Sequence, residues 1–301
     1  MYAIVNDTHL FFDIEGSGFV PEGPKLREKP TCFVLHGGPG GDHTVYKPHL
    51  TPLSDLMQLV YIDNRGSGFS ECQSSSTYTL NQNVEDLEAL RKYLGLKKIV
   101  LMGQSYGGMV ALSYAVAYPQ NVSSLLLITT SPSFNFIEKA KKIVSEKGTN
   151  EQQKMAQILW NGEFESQEQL TEYYKVMEPL YSFSFNPKPT QLELQKRTEA
   201  YQSSNRSFKA LNAGFKGFLK TYNVIGQLKS IKCPTLIIAG RHDWITPVEE
   251  SFVLAEKIPD NELVIFEKSS HNVIKDEYKH FISTVTSFVE KRLIYTVQNF
   301  I

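Results

Sequence analysis

Val100-Leu101-Met102-Gly103-Gln104-Ser105-Tyr106-Gly107-Gly108-Met109-Val110 is the stretch whose reading decides the fold. On its left, Lys98-Ile99-Val100-Leu101-Met102 is apolar and β-branched, which predicts a buried parallel strand. On its right, Met109 to Tyr118 is Ala-rich, carries helical periodicity and stops at Pro119, which predicts a helix. Between them lies a G-x-S-x-G pattern whose glycines, with Gly108, permit a turn too tight for β-carbons. Such a turn lifts Ser105 out of the sheet and aims the Tyr106 amide at whatever the hydroxyl attacks. A glycine-rich turn with an incidental serine would share the pattern. The strand before it and the helix after it favour a nucleophile elbow.

Outward from this point a βα rhythm continues in both directions. Thr31–Leu35 and Gln58–Ile62 read as strands, and Leu80–Leu94 as an amphipathic helix with Leu80, Val84, Leu87, Leu90 and Leu94 on one face. Ser124–Ile128, Thr235–Ala239 and Leu263–Phe266 follow as strands, with helices at Val248–Lys257 and Asp276–Arg292. Residues 2–14 fit an antiparallel edge pair, and residues 16–30 a Pro/Gly-rich surface loop. This alternation predicts an α/β fold with a mostly parallel, doubly wound sheet. Between Ser133 and Leu228 strand-like runs vanish, and helical character is interrupted at Gly162, Pro179 and Asn186-Pro187-Lys188-Pro189. The expected organisation is a core of residues 1–132 and 229–301 with a helical cap, 133–228, inserted into one sheet. A separate second domain is disfavoured because the sheet needs both flanks.

A serine hydroxyl needs a base to take its proton, usually a histidine held by a carboxylate. In sheet-based hydrolases the chain order is Ser, then Asp or Glu, then His. Asp243 stands just after the strand at 235–239, and His271 just after the strand at 263–266. Ligands gather at that carboxyl edge in open α/β sheets. Asp243 alone could cap a helix, and His271 alone could be a surface histidine. Their joint placement in this order argues for catalytic roles. His36-Gly37-Gly38-Pro39-Gly40-Gly41 follows the first parallel strand and offers amides unobstructed by side chains. The Gly38 amide, helped by Gly37, would pair with that of Tyr106 as an oxyanion hole. A phosphate cradle is the weaker alternative, since no Lys-Ser/Thr ending follows. His43 and His49 lie in a loop near the same edge; His9, His242 and His280 are expected to point elsewhere.

The chain has 301 residues, 41% hydrophobic and 21% charged, with a formal net charge of −1. That balance gives no electrostatic basis for binding nucleic acid or an anionic membrane. Cys32, Cys72 and Cys233 form no C-x-x-C motif and no closed disulfide framework. No window reaches the roughly 20 apolar residues of a bilayer span, and the N-terminus lacks signal-peptide character. The sequence therefore predicts a cytoplasmic protein without metal or cofactor, taking a small-molecule or short peptide substrate; oligomeric state is left open.

At these residues the chain resembles the α/β-hydrolases, and more narrowly the proline iminopeptidase group. The resemblance rests on HGGPGG at 36–41, DNRGSGFS at 63–70, GQSYGG at 103–108 and GRHDWITP at 240–247. It implies Ser105 as nucleophile, Asp243 as acid and His271 as base, with His36, Asp63 and Arg65 as supports of neighbouring turns. Members of that group bind the substrate's free α-amine through acidic residues in the cap and directly after the catalytic Asp. Here those positions read Asn212 and Trp244, neither of them charged. Each lost charge-assisted hydrogen bond would be worth about 1.5–3 kcal/mol. Trp244, Phe215 and Asn212 thus become the candidate substrate-binding residues, suggesting an apolar acyl pocket. The cap acids Glu163, Glu165, Glu193 and Glu199 fit solvated helix faces better than an amine site. The resemblance implies a serine hydrolase resembling a proline-releasing aminopeptidase that works through an acyl-enzyme. The alternatives are a carboxylesterase or lactonase acting on an apolar acyl group and, behind both, a non-catalytic ligand-binding fold.

Overall fold

Strands with no polar face must be covered on both sides, and that requirement organises this chain. The computed structural model describes residues 1–294. The N-terminal strands β1 (Tyr2–Val5) and β2 (Thr8–Glu15) pair antiparallel, and β2 pairs antiparallel with β6 (Gln58–Ile62). A separate hairpin, β3 (Phe19–Glu22) and β4 (Lys25–Glu28), precedes β5 (Thr31–Leu35). The helix α1 (Leu80–Tyr93) leads into β7 (Ile99–Gln104), α2 (Tyr106–Ala117) and β8 (Val122–Ile128). Five helices follow: α3 (Phe136–Lys147), α4 (Asn150–Asn161), α5 (Gln167–Tyr181), α6 (Gln191–Gln202) and α7 (Phe208–Lys216). The sheet resumes with β9 (Thr235–Gly240), α8 (Val248–Lys257), β10 (Asn261–Phe266), α9 (Val273–Asp276) and α10 (Tyr278–Val289). The main sheet has eight strands in the order β1-β2-β6-β5-β7-β8-β9-β10, parallel from β6 onward.

Every residue of β5 is buried, and its alternate side chains feed opposite layers. Phe33 and Leu35 join the layer containing Val84 and Leu87 of α1 and Met109 and Leu112 of α2. Cys32 and Val34 join the layer containing Phe281 and Val285 of α10. The helical segment between β8 and β9 leaves and re-enters the sheet at one neck. There Phe134 N donates to Tyr222 O and Val224 N to Pro132 O, both at 2.9 Å, flanking a bridge between Ser133 and Asn223.

The expected strands at 31–35 and 58–62 and the helix at 248–257 have the observed limits. Elsewhere four differences have physical causes. The helix after the elbow starts at Tyr106, not Met109, because Gly107 and Gly108 are themselves helical. Pro179 lies inside α5 without ending it, whereas Gly162 does end α4, in a left-handed conformation at φ 64°. The closing helix expected at 276–292 is divided: α9 ends at Asp276, and Glu277 (φ −126°) separates it from α10. The loop expected over 16–30 contains the exposed hairpin β3–β4, whose sparse apolar residues give no alternating signal. Of the core expected to run to residue 301, the last seven residues, 295–301, lie outside the described ones.

Candidate active site

β7 delivers Ser105 to the carboxyl edge of the sheet in a left-handed backbone conformation, φ 56° and ψ −121°. Such strain persists only where the surroundings over-determine it. Ser105 N donates to Ile128 O at 2.9 Å, and Ser105 O accepts from Thr130 Oγ1 at 2.7 Å and from Gly108 N at 3.0 Å. The neighbouring glycines are sterically required. A β-carbon on Gly103 would stand 2.3 Å from Gly107 O, and one on Gly107 would stand 2.2 Å from Leu35 O. Ser105 is the N-cap of α2 but does not use its side chain to cap it.

His271 follows β10 and Asp243 follows β9, and the sheet brings them together. His271 Nδ1 lies 2.8 Å from Asp243 Oδ2. A carboxylate only accepts, so Nδ1 carries the proton, and in the neutral ring Nε2 keeps its lone pair. Asp243 is nearly fully buried, at 4% exposure, and its remaining capacity is filled. Oδ1 accepts from Ile245 N at 2.9 Å and Thr246 N at 3.0 Å, and Oδ2 accepts from Thr246 Oγ1 at 2.8 Å. The His271 loop is fastened at several points. Ser270 N donates to Asp276 Oδ2 at 3.0 Å, and Lys268 N and Ser269 Oγ donate to Glu277 Oε2 at 2.9 and 2.7 Å. These bonds occupy the two acids where the closing helix is broken. Local side-chain bonding of this kind competes with helix continuation.

Among the described residues the Ser105 hydroxyl makes no hydrogen bond. Ser105 and His271 instead share the wall of one cavity of about 410 Å³, together with Gly37 and Gly38. Catalytic hydrogen bonds often tighten only when substrate is present. The Tyr106 amide is one of the first donors of α2, which no helical carbonyl can satisfy. Gly37 N is already engaged by Tyr46 OH, at 3.2 Å. His36 fixes this loop from within: Nε2 accepts from Asn64 N at 3.0 Å, and Nδ1 meets Gly37 O at 2.8 Å.

The three expected substrate-binding residues divide. Phe215 lines the cavity. Trp244 does not: it is 1% exposed and packed between Trp160 (5.7 Å) and Tyr181 (5.2 Å), and its Nε1 has no partner among the described residues. Asn212 also stands away from the cavity. Its Nδ2 donates to Phe164 O at 2.7 Å and its Oδ1 accepts from Phe164 N at 3.0 Å, so it clamps two cap segments like a strand pair. His43 is turned onto Asp63, 3.0 Å from its carboxylate, and His49 packs edge-on to Tyr278. Arg65 is held bidentately by Asp86, at 2.9 Å on both nitrogens, and is 4% exposed. Among the described residues no group of His, Cys, Asp and Glu could hold a metal ion, and no helix is long and apolar enough to cross a membrane.

Sequence reasoning missed the Tyr181 ring, 5.6 Å from that of His271, and the Gln104 side chain, whose Nε2 donates to His271 O at 3.0 Å. Gln104 was within the quoted motif, but no periodicity signals a bond spanning 167 residues.

A serine raised at the carboxyl edge of a parallel sheet, sharing a cavity wall with an Asp-bound imidazole, is the arrangement of α/β hydrolases. The chain belongs to that family: the alpha/beta hydrolase fold family matches residues 30–278. It is similar to the proline iminopeptidase of Saccharolobus solfataricus, with 30% identity over 269 residues, 86% of this chain and 84% of the relative. The proline iminopeptidase PfmaB of Pestalotiopsis fici is 30% identical over 289 residues, covering 93% of this chain and 99% of that one. Among solved structures, an esterase from Exiguobacterium antarcticum superposes with a TM-score of 0.73 at 21% identity, covering 95% of this chain and 97% of that one. The protein is accordingly a hydrolase.

Proposed function

We propose that the protein is a serine hydrolase that cleaves ester or amide bonds through an acyl-enzyme. The observation that carries this reading is the 2.8 Å contact of His271 with Asp243, which in the neutral ring leaves Nε2 with its lone pair, beside an elbow serine in the same cavity. His271 takes the Ser105 proton as Oγ bonds to the substrate carbonyl carbon. The resulting oxyanion is held by the amides of Tyr106 and Gly38, with Gly37 N available only when its bond to Tyr46 opens. Collapse breaks the bond to the leaving group, which receives the proton from His271. Water, deprotonated by the same nitrogen, then releases the acid and restores the serine. Asp243 keeps the tautomer and stabilises the imidazolium.

Two substrate readings follow. The relatives named proline iminopeptidase support release of an N-terminal residue. A carboxylic ester or lactone is favoured by the cavity itself, because neither position at which the iminopeptidase group carries an acid faces it. The deciding experiment compares proline p-nitroanilide, its N-acetyl form and p-nitrophenyl acetate, with Ser105→Ala as control. A strong preference for the free amine supports the peptidase. Equal rates on both anilides, with faster ester cleavage, support the esterase. Failure of a fluorophosphonate to label Ser105, with no turnover of any of the three, removes the hydrolase mechanism.

A further inference from the structure

The charged side chains around the cavity are unevenly satisfied. Its carboxylates are Asp42 and Glu178, and its cations are Lys196, Arg197, Arg206 and Lys275. Asp42 is fully buried and already accepts from Thr44 N at 2.8 Å, from Thr44 Oγ1 and from Asn205 N at 3.1 Å. Glu178 accepts from Tyr201 OH at 3.1 Å and faces Arg197 Nε at 3.8 Å. Neither is a free anion awaiting an ammonium group.

Arg206 and Lys275 are in the opposite condition. The Arg206 guanidinium lies 4.2 Å above the Tyr174 ring, and neither cation has a hydrogen-bonded or ion-paired carboxylate among the described residues. The Lys275 ammonium is held below the usual lysine range, first by desolvation and then by repulsion from Arg206, against the attraction of Glu178 and Asp276, and the residue as a whole is exposed. Two neighbouring cations on one cavity wall, neither bonded directly to a carboxylate, would be stabilised by an anion arriving between them. A guanidinium stacked on a ring keeps its N–H edge in place for a planar, two-oxygen acceptor. The position is on the imidazole's side of the cavity. The Tyr174 ring is 6.0 Å from that of Tyr181, which is 5.6 Å from that of His271.

We propose that the substrate carries a free carboxylate, received between Arg206 and Lys275, in addition to the ester or amide carbonyl attacked by Ser105. The inference rests on the acyl-hydrolase reading above and narrows its substrate class to half-esters, half-amides or acylated hydroxy acids.

The test uses two matched ester pairs and the full chain. p-Nitrophenyl hydrogen glutarate against p-nitrophenyl valerate places the charge on the acyl side. 4-Acetoxybenzoate against phenyl acetate places it on the leaving group. We expect kcat/KM for the charged member to exceed that for the neutral one by about tenfold or more in one pair. That ratio should fall towards one in Arg206→Met and in Lys275→Met, with Arg206→Lys recovering part of it. As a readout independent of turnover, Ser105→Ala should bind monomethyl glutarate in calorimetry at least about tenfold more tightly than dimethyl glutarate. Faster cleavage of the neutral member in both pairs, or a calorimetric preference untouched by Arg206→Met, overturns the proposal. Turnover of the neutral esters and labelling of Ser105 report separately on the hydrolase mechanism, so the two failures are distinguishable.

Discussion

Gln104 Nε2 donates to the backbone carbonyl of His271 at 3.0 Å, so the residue before the elbow serine fixes the residue that carries the imidazole. The same carbonyl accepts from Thr129 Oγ1 at 3.2 Å. Strand end and base loop are thereby tied at two points. Gln104→Ala removes one of them and leaves the carbonyl its other donor, so the stability cost should be only about 1 kcal/mol. Activity should suffer more, since a small displacement of the ring misaligns the proton transfer. We expect kcat to fall on the order of tenfold or more while the thermal midpoint moves by a few degrees. A kcat equal to that of the parent would show that the loop needs no such anchor.

Asp243→Asn tests the imidazole's tautomer. An amide in place of the carboxylate turns N–H donors towards Nδ1, which favours the proton on Nε2, where it cannot accept from Ser105. A loss in kcat on the order of 10⁴-fold is expected, with a much smaller change in KM. Because Asp243 also accepts from the amides of Ile245 and Thr246, unfolding should be measured alongside. A folded variant with full ester activity would remove the triad.

Glu88 is the clearest source of acid sensitivity. Arg91 binds it through Nε at 2.8 Å and Nη2 at 2.7 Å, and Tyr114 OH donates to it at 2.6 Å. These contacts, the Arg91 bonds foremost, lower its pKa from 4.5 to about 2. A folded-state pKa below the unfolded one means that the unfolded chain binds the proton more readily. The associated stability is present above pH 4.5 and is lost as pH falls towards about 2. Glu88→Gln should cost about 1.5–3 kcal/mol near neutral pH and flatten the urea midpoint's dependence on pH below 4.5. An undiminished acid slope in the variant would assign that sensitivity to other carboxylates.

How much of this could be read in advance depended on the distance over which each signal acts. The elbow, the parallel strands and the places of Ser105, Asp243 and His271 were legible because strand ends and glycine spacing are local. Trp244 and Asn212 were read as substrate contacts from their positions in a family pattern, and both are turned into packing instead. Trp244 is covered by Trp160 and Tyr181, and Asn212 by the backbone of Phe164. Which way such a side chain points is decided by cap packing between segments far apart in the chain, for which periodicity holds no information. The Arg206 and Lys275 pair was invisible for the same reason: 68 intervening residues separate two cations that only the folded cap and base loop bring to one cavity wall.

Two glycines in the site separate folding from catalysis. A β-carbon on Gly107 would lie 2.2 Å from Leu35 O and 2.7 Å from His36 O, both backbone atoms of the central sheet edge that cannot move without carrying β5 with them. Gly107→Ala should therefore cost about 3 kcal/mol or more, seen as loss of the cooperative thermal transition or of expression as a folded chain. On Gly37 the added carbon would meet Ser105 Cβ at 3.2 Å and Oγ at 3.8 Å, a contact relieved by a shift of a few tenths of an ångström. Its backbone does not require the left-handed region, unlike that of Gly38 at φ 121°. Gly37→Ala should fold nearly as well as the parent, yet place a methyl group where the tetrahedral centre must form and tilt the neighbouring amides away from the oxyanion. The expected result is a kcat/KM reduced by about 100-fold, the scale of one lost oxyanion donor, with a thermal midpoint within a few degrees of the parent. Were Gly37→Ala to cleave p-nitrophenyl acetate at the parental rate, the 36–41 loop would be a structural turn, and the oxyanion would have to be held elsewhere.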